Sequence, residues 1–186
     1  HVGRPKGKTV TKLSLEPIAK KLKILLNQNV FFIKETIGVK TVERSKNISN
    51  GEILLLENLR SNKDEELNSK GFSKELSKNG DLYVNEAFSC SHREHSSVSG
   101  ITKYIKSFAG EQLIKEVNTI KMLTENPKKP VSCIIGGSKI STKIGVLNNL
   151  LNKMDNIIVV GAMANNFIKY KKFNIGKSIF EKNSEN

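Results

Sequence analysis

Short apolar runs alternate along this chain with segments in which apolar residues recur every three or four positions. Residues 30–33 and 52–60 have the length and apolar content of strands, and Leu54-Leu55-Leu56 suits a strand covered on both faces. Residues 13–26 and 111–123 show the spacing of amphipathic helices. This alternation with short links predicts an α/β fold built around a mainly parallel sheet.

Other segments continue the same alternation. We predict Ser14 as the N-cap of the first helix and a charged loop at residues 63–66. Further strands are predicted at residues 81–86, 131–135 and 156–160, and further helices at residues 72–76, 144–151 and 162–170. The apolar, β-branched run at 131–135 is predicted to be a buried strand.

Pro127 and Pro130 end the helix at residues 111–123. This helix lies between two α/β units and separates them. We therefore predict a first domain at 1–108, a helix and linker at 109–127, and a second domain at 128–186. Only two strands belong to the second domain, which is thus only begun. A two-stranded piece is marginally stable by itself.

Residues 136–143, Gly-Gly-Ser-Lys-Ile-Ser-Thr-Lys, connect a predicted strand to a predicted helix. Glycines allow close approach of the backbone to a nucleotide, helix N-termini present amide groups, and Lys139 and Lys143 can neutralise phosphate charge. The spacing is not that of a Walker A loop. The segment fits a phosphate site, but it also fits a plain strand–turn–helix connection with solvated lysines.

Three arginines, Arg4, Arg60 and Arg93, fall in or just after loops at the carboxyl ends of predicted strands. Ligands bind at that edge of open parallel sheets, and the guanidinium fork grips carboxylate or phosphate oxygens. The alternative role of each arginine is a surface ion pair. His92 and His95 have no third His nearby and stand in no metal-ligand spacing with Cys90, so they predict no metal site, and both also fit loop residues bonded to backbone.

Composition favours an anionic partner. The 186 residues include 31 Lys and Arg against 18 Asp and Glu, a formal net charge of +13, which suits phosphorylated metabolites or nucleic acid. The lysines are dispersed along the chain, however, and codon bias toward A and T also produces such a pattern. Cys90 and Cys133 lie far apart, and Cys133 suits a small core residue. No apolar run reaches the roughly 18 residues of a membrane span, and we expect a cytoplasmic protein.

Several motifs stand in the order found in phosphoglycerate kinases, and the chain resembles that family along nearly its whole length. The motifs are His1-Val2-Gly3-Arg4-Pro5-Lys6-Gly7, Leu54-Leu55-Leu56-Glu57-Asn58-Leu59-Arg60, Tyr83-Val84-Asn85-Glu86-Ala87-Phe88, His92-Arg93-Glu94-His95, Asn126-Pro127, residues 136–143, and Gly161-Ala162-Met163-Ala164.

The resemblance implies two Rossmann-like parallel-sheet domains joined by an interdomain helix around residues 111–126. It implies reversible phosphoryl transfer between 1,3-bisphosphoglycerate and ADP, giving 3-phosphoglycerate and ATP, in glycolysis and gluconeogenesis. The nucleotide is used with Mg²⁺, whose ligating region is expected outside this chain. The resemblance further implies a monomer, whereas the expectation of no membrane partner comes from the lack of a long apolar run, and the dispersed lysines make nucleic acid the less favoured partner.

The family's motifs also assign site residues to matching positions. The implied phosphoglycerate-binding residues are His1, Val2, Gly3, Arg4, Arg60 and Arg93. The implied nucleotide-binding residues are Gly136, Gly137, Lys139, Lys143, Gly161 and Ala162. Lys143 would neutralise the transferred phosphoryl group, and Arg60 and Arg93 would clamp the substrate; these three form the expected catalytic set. No residue is assigned as a metal ligand.

The chain also departs from the family's pattern. The opening strand with an Asp-Phe-Asn motif is expected before His1, and the Mg-nucleotide loop and a Gly-Gly-Asp helix start are expected beyond Asn186. Ser89 replaces a usual glycine, Ala162 stands in a usual glycine run, and Ser61 replaces a common aromatic residue. We therefore expect a partial chain that is inactive by itself. The alternatives are a decayed, non-catalytic remnant and a basic nucleic-acid-binding module.

Overall fold

The computed structural model describes residues 1–125 and 127–182. Asn126, which belongs to the predicted linker and to one family motif, lies outside the described residues, as do residues 183–186 of the predicted second domain. Across the two described ranges, no helix has the length and apolar character needed to cross a membrane.

The chain divides into two compact units, His1–Glu116 and Val117–Asn186. In both units, each sheet consists of two parallel strands that follow one another in the chain, and helices accompany the strands. The predicted α/β class with parallel sheets is therefore confirmed. The domain borders near residues 108 and 127 stay a prediction.

The first unit contains two separate parallel sheets. β1 (Val30–Ile33) pairs residue for residue with β2 (Ile53–Leu56), and β3 (Tyr83–Asn85) pairs likewise with β4 (Ser107–Ala109). The helices of this unit are α1 (Glu16–Leu26), α2 (Val39–Lys46), α3 (Lys63–Glu66), α4 (Lys70–Ser77) and the beginning of α5 (Glu111–Glu125). The candidate site residues lie mainly in the connections that follow the strands.

Helix α1 begins later than the sequence predicts, because Thr11–Leu13 form a separate 3₁₀ turn. The predicted capping role of Ser14 is partly met: its hydroxyl accepts a hydrogen bond from the Glu16 amide at 3.2 Å, although Leu15 occupies the cap position. The helix ends at Asn27, which adopts the left-handed conformation that commonly closes helices.

Two predictions for the first unit were wrong, and two elements were not predicted. Residues 63–66, expected as a charged loop, form α3, and the Asn62 side chain caps the amide of Asp64 at 3.0 Å. Strand β2, expected to be covered on both faces, is half-buried at every position. Helix α2 is mostly polar and β4 is very short, so neither gave an apolar pattern.

The hydrophobic core of the first unit forms around α4. Phe72 and Leu76 of α4 are buried together with Ile101. Partly buried side chains pack against them from Ile37, Leu56, Leu59, Tyr83 and Ile105. Because Leu59 directly precedes Arg60, this packing fixes the backbone that carries a predicted site residue.

The second unit contains one parallel sheet, β5 (Ser132–Gly136) with β6 (Asn156–Val160). Its further helices are α6 (Ile144–Leu151) and α7 (Ala162–Tyr170), and the predicted bounds of α6, β6 and α7 are confirmed. The prediction of a buried strand at β5 was wrong, because alternate residues are exposed and Ile134 is 70% exposed. Cys133 is likewise half-buried and not a core residue.

Candidate functional site

Asn58, the second residue after β2, ties the amino-terminal turn to the end of that strand. Its side chain is 2% exposed, and its Nδ2 donates to the carbonyl oxygens of Val2 at 2.7 Å and Leu13 at 3.0 Å. Its Oδ1 accepts a hydrogen bond from the Arg60 amide at 3.2 Å. One buried amide group therefore holds the turn that contains His1 and Gly3 beside Arg60.

Arg60 lies in a 3₁₀ turn after β2 and is only 5% exposed. Its Nη1 donates to the Gly3 carbonyl oxygen at 3.0 Å, and its Nε lies 3.1 Å from the Glu66 carboxylate. The second approach is close enough for an ion pair, although it lacks hydrogen-bond geometry. A buried guanidinium needs such partners, and they fix its orientation.

Arg93 and His1 meet in the same unit. The Nη1 atom of Arg93 lies 3.4 Å from Nε2 of His1, and the Cys90 thiol lies 3.9 Å from the same nitrogen. Arg93 is half-buried, whereas His1 and Arg4 are exposed. The structure thus joins His1 to Arg93 and Gly3 to Arg60, with Arg4 following Gly3 in the same turn. A cluster of fixed guanidinium and imidazole groups suits a small polyanion.

Glu57 is a supporting residue that the sequence analysis did not assign to the site. Its carboxylate accepts hydrogen bonds from the Ser14 hydroxyl at 2.6 Å, the Leu15 amide at 2.8 Å and the Asn58 amide at 2.7 Å. Burial raises the pKa of Glu57, but these hydrogen bonds together outweigh burial and leave the pKa lowered. The sequence feature that indicates a role for Glu57 and Asn58 is their position as a polar pair at the carboxyl end of an apolar strand.

The glycines of the second unit meet where β5 and β6 end. A Cβ atom on Gly136 would lie 2.8 Å from Cγ2 of Val160, so the two strand ends approach closely only with glycine there. The Gly137 carbonyl oxygen accepts from the Met163 amide at 3.0 Å, and Gly161 has a φ of +66°. The predicted nucleotide-binding residues Gly136, Gly137, Gly161 and Ala162 are therefore neighbours.

The two lysines of the turn are exposed at the start of α6. Lys143 is the residue immediately before that helix, and Lys139 precedes it by one turn. Between them, the amide and hydroxyl of Ser141 donate to the Glu181 carboxylate at 3.0 and 2.6 Å. Both hydrogen bonds, led by that of the hydroxyl, lower the pKa of Glu181. Glu181 thus anchors the turn from which the ammonium groups extend.

Among residues 1–125 and 127–182, no group of three His, Cys, Asp or Glu side chains is placed to hold a metal ion. His92 is exposed, and His95 faces Glu65 with its Nδ1 3.7 Å from Oε1. The arginine cluster of the first unit (His1, Arg4, Arg60 and Arg93) and the lysine cluster of the second (Lys139 and Lys143) present cationic donors. Such donors suit phosphate and carboxylate oxygens.

The sequence matches the family described as phosphoglycerate kinase over residues 1–186. It is 48% identical to the phosphoglycerate kinase of Bartonella bacilliformis and 47% identical to that of Orientia tsutsugamushi, each over 181 residues. Both alignments cover 97% of this chain and 45% of the relative. The chain therefore spans less than half the length of these curated relatives.

Solved structures give the same result. The phosphoglycerate kinase of Coxiella burnetii superimposes with a TM-score of 0.75 at 38% identity, covering 98% of this chain and 46% of that one. The enzyme from Pyrococcus horikoshii superimposes with a TM-score of 0.84 at 29% identity, covering 95% and 45%. A family match over the full sequence and these relatives lead to one conclusion: the chain belongs to the phosphoglycerate kinase family.

Proposed function

We propose that this chain provides the phosphoglycerate-binding residues and part of the nucleotide-binding residues of a phosphoglycerate kinase. The reaction is reversible phosphoryl transfer between 1,3-bisphosphoglycerate and ADP, giving 3-phosphoglycerate and ATP. The observation that carries this proposal is the joining of His1 to Arg93 and of Gly3 to Arg60 in one unit. Family membership supports the identity of the substrate.

The first unit binds the phosphoglycerate. Arg60 and Arg93 act as clamps, since a guanidinium fork contacts two oxygens of a phosphate or carboxylate at once. His1 and Arg4 add positive charge, and Val2 and Gly3 form the turn that carries them. Because Arg60 is already oriented by the Gly3 carbonyl and by Glu66, little conformational freedom is lost when the ligand binds.

The second unit binds the nucleotide. Gly136, Gly137, Gly161 and Ala162 allow the ligand close to the backbone at the ends of β5 and β6, where nucleotides bind in such sheets. Lys139 and Lys143 contact its phosphates, and Lys143 neutralises the group being transferred. Mg²⁺, when bound to the nucleotide phosphates, would supply additional charge neutralisation. The residues of this turn complement phosphate oxygens, and their side chains are not metal ligands.

Catalysis follows from positioning and charge. Phosphoryl transfer requires the attacking and leaving oxygens to be in line and the charge on the moving group to be stabilised. Arg60, Arg93 and Lys143 provide cationic groups for both tasks. We further propose a monomeric, cytoplasmic enzyme of glycolysis and gluconeogenesis, as membership of the family suggests.

The proposal is tested with the polypeptide of the complete reading frame that encodes this chain. Lys143→Ala should lower kcat by about 100-fold or more, because one charge on the transferred group is left unneutralised, while affinity for 3-phosphoglycerate stays within twofold. Lys153→Ala is the matched control, because Lys153 is an exposed lysine after α6. Turnover is measured with a coupled assay that follows phosphorylation of 3-phosphoglycerate by ATP. Affinity is measured by calorimetric titration of 3-phosphoglycerate.

Equal turnover of the Lys143→Ala variant and the wild type would refute the role of Lys143. A wild-type polypeptide that binds neither ligand would refute the proposed function. We also expect the segment of residues 1–186, purified by itself, to give no turnover in this assay. Within residues 127–182, its β5–β6 sheet has two strands and an exposed apolar face, and such a sheet is marginally stable.

A further inference from the structure

Helix α3, of which the proposed function uses only Glu66, contacts the two segments that position Arg60. The Gly7 amide donates to the Arg60 carbonyl oxygen at 3.1 Å, and Gly7 packs so closely on Lys63 that a Cβ would lie 2.6 Å from the Lys63 Cβ. Glu66, at the other end of α3, pairs with the Arg60 guanidinium. One helical turn therefore holds both the amino-terminal turn and the Arg60 side chain.

The middle of α3 contacts a third segment, residues 95–97. The Ser96 hydroxyl donates to the Asp64 carbonyl oxygen at 2.8 Å. Glu65 is 1% exposed; its Oε2 accepts from the Ser97 amide at 3.0 Å and its Oε1 from the Ser97 hydroxyl at 2.6 Å. The same Oε1 lies 3.7 Å from Nδ1 of His95, which is within reach of an ion pair when that ring is protonated.

We propose that Glu65 is a positioning residue for the phosphoglycerate site. A buried carboxylate is costly unless donors satisfy it, and the donors that Glu65 uses come from residues 95–97. Its burial and the placement of that segment therefore depend on each other. Arg93 precedes the segment by two residues, so Glu65 fixes the backbone from which the Arg93 clamp extends.

The inference rests on the proposed function, since it assigns Glu65 to the affinity for the same ligand. Arg93 is half-buried, and its Nη1 lies 3.4 Å from the His1 ring. A clamp that is already oriented binds its ligand without the cost of ordering, whereas a mobile one pays that cost. Loss of the Glu65 contacts should therefore weaken phosphoglycerate binding and leave nucleotide binding unchanged.

The test compares Glu65→Gln with the wild type in the polypeptide of the complete reading frame. Glutamine keeps the size of the side chain but loses the charge and one acceptor for Ser97. We expect the KM for 3-phosphoglycerate to rise about 10-fold, with the KM for ATP and kcat within about twofold. Glu75→Gln is the matched control, because the side chain of Glu75 in α4 is 42% exposed and pairs with Lys78 just after that helix.

Ser97→Ala provides a second route if the Glu65→Gln variant does not fold. It removes the 2.6 Å hydrogen bond and leaves the carboxylate in place, and we expect a smaller rise in the same KM. In the double variant the two effects should not add, since both residues act through one contact. Unchanged phosphoglycerate KM in the folded single variants, or equal changes in both KM values, would overturn the inference. A wild type without phosphoglycerate binding would instead refute the proposed function.

Discussion

Replacing Asn58 with alanine tests how a buried side chain after β2 holds the amino-terminal turn. The wild-type side chain donates to Val2 and Leu13 and accepts from Arg60. Each hydrogen bond contributes about 1 kcal/mol net, and a buried group left unpaired costs about 1 kcal/mol or more in addition. Val2 and Leu13 are half-buried, so water reaches their carbonyls in part, whereas the Arg60 amide is buried. The expected loss in the free energy of unfolding is therefore about 3 to 4 kcal/mol.

Urea unfolding of the complete polypeptide, followed by circular dichroism, measures this loss. Amide hydrogen exchange over residues 1–15 measures the turn itself, whose protection should fall because the turn loses the buried side chain that anchors it and opens more often. Asn29→Ala is the control: its side chain makes one exposed hydrogen bond to Glu52, so its effect should stay within about 0.5 kcal/mol. An Asn58→Ala variant that matches this control in stability and exchange would refute the assigned role.

Two further predictions follow from the structure. Gly136→Ala should lower the free energy of unfolding by about 1 to 3 kcal/mol and weaken ATP binding, because the added methyl group would meet Val160. Gly145→Ala in α6 is the control: its methyl group would meet nothing within 4 Å, so the change should be neutral or stabilising. Urea unfolding measures the stability of both variants, and titration with ATP measures their nucleotide binding. Because the pKa of Glu57 is lowered, its contribution to stability is present above the usual glutamate value of 4.5 and is lost as the pH falls below that value. Urea midpoints measured from pH 7 downward should therefore fall less steeply in Glu57→Gln than in the wild type, and parallel curves would contradict this.

The sequence predicted most reliably those elements whose signal is local. The β-branched run of β6 ends just before Gly161, and α7 follows with apolar residues at helical spacing. Both elements therefore have the bounds that the sequence predicts. Helix α3 has no apolar pattern and depends on the Asn62 cap and on contacts to residues about 32 positions later. Such partners are distant in sequence, so the sequence alone predicts a charged loop where the structure has a helical turn with Glu65 buried.

The same limit applies to the candidate site. Motif order gave the cationic residues, because arginines and lysines at strand ends are visible in the sequence. It did not give the polar residues that hold them, since Glu57, Asn58 and Glu65 acquire their roles only through contacts that the fold creates. Nor did the sequence indicate that Arg60 would be almost fully buried.

Arg60 of the first unit and the two lysines of the second present positive charge in physically different ways. Arg60 is buried, with its guanidinium directed by a carbonyl and a carboxylate, so its geometry is set before any ligand binds. Lys139 and Lys143 are exposed, so an anion that pairs with them must also offset the conformational entropy lost when two long side chains are ordered. A rigid fork selects a small ligand by the placement of its oxygens, whereas a mobile ammonium group can stay with a phosphoryl group as it moves. Under the proposed function, the buried arginine suits recognition of the phosphoglycerate within the first unit, and the exposed lysines suit the phosphates of the nucleotide within the second.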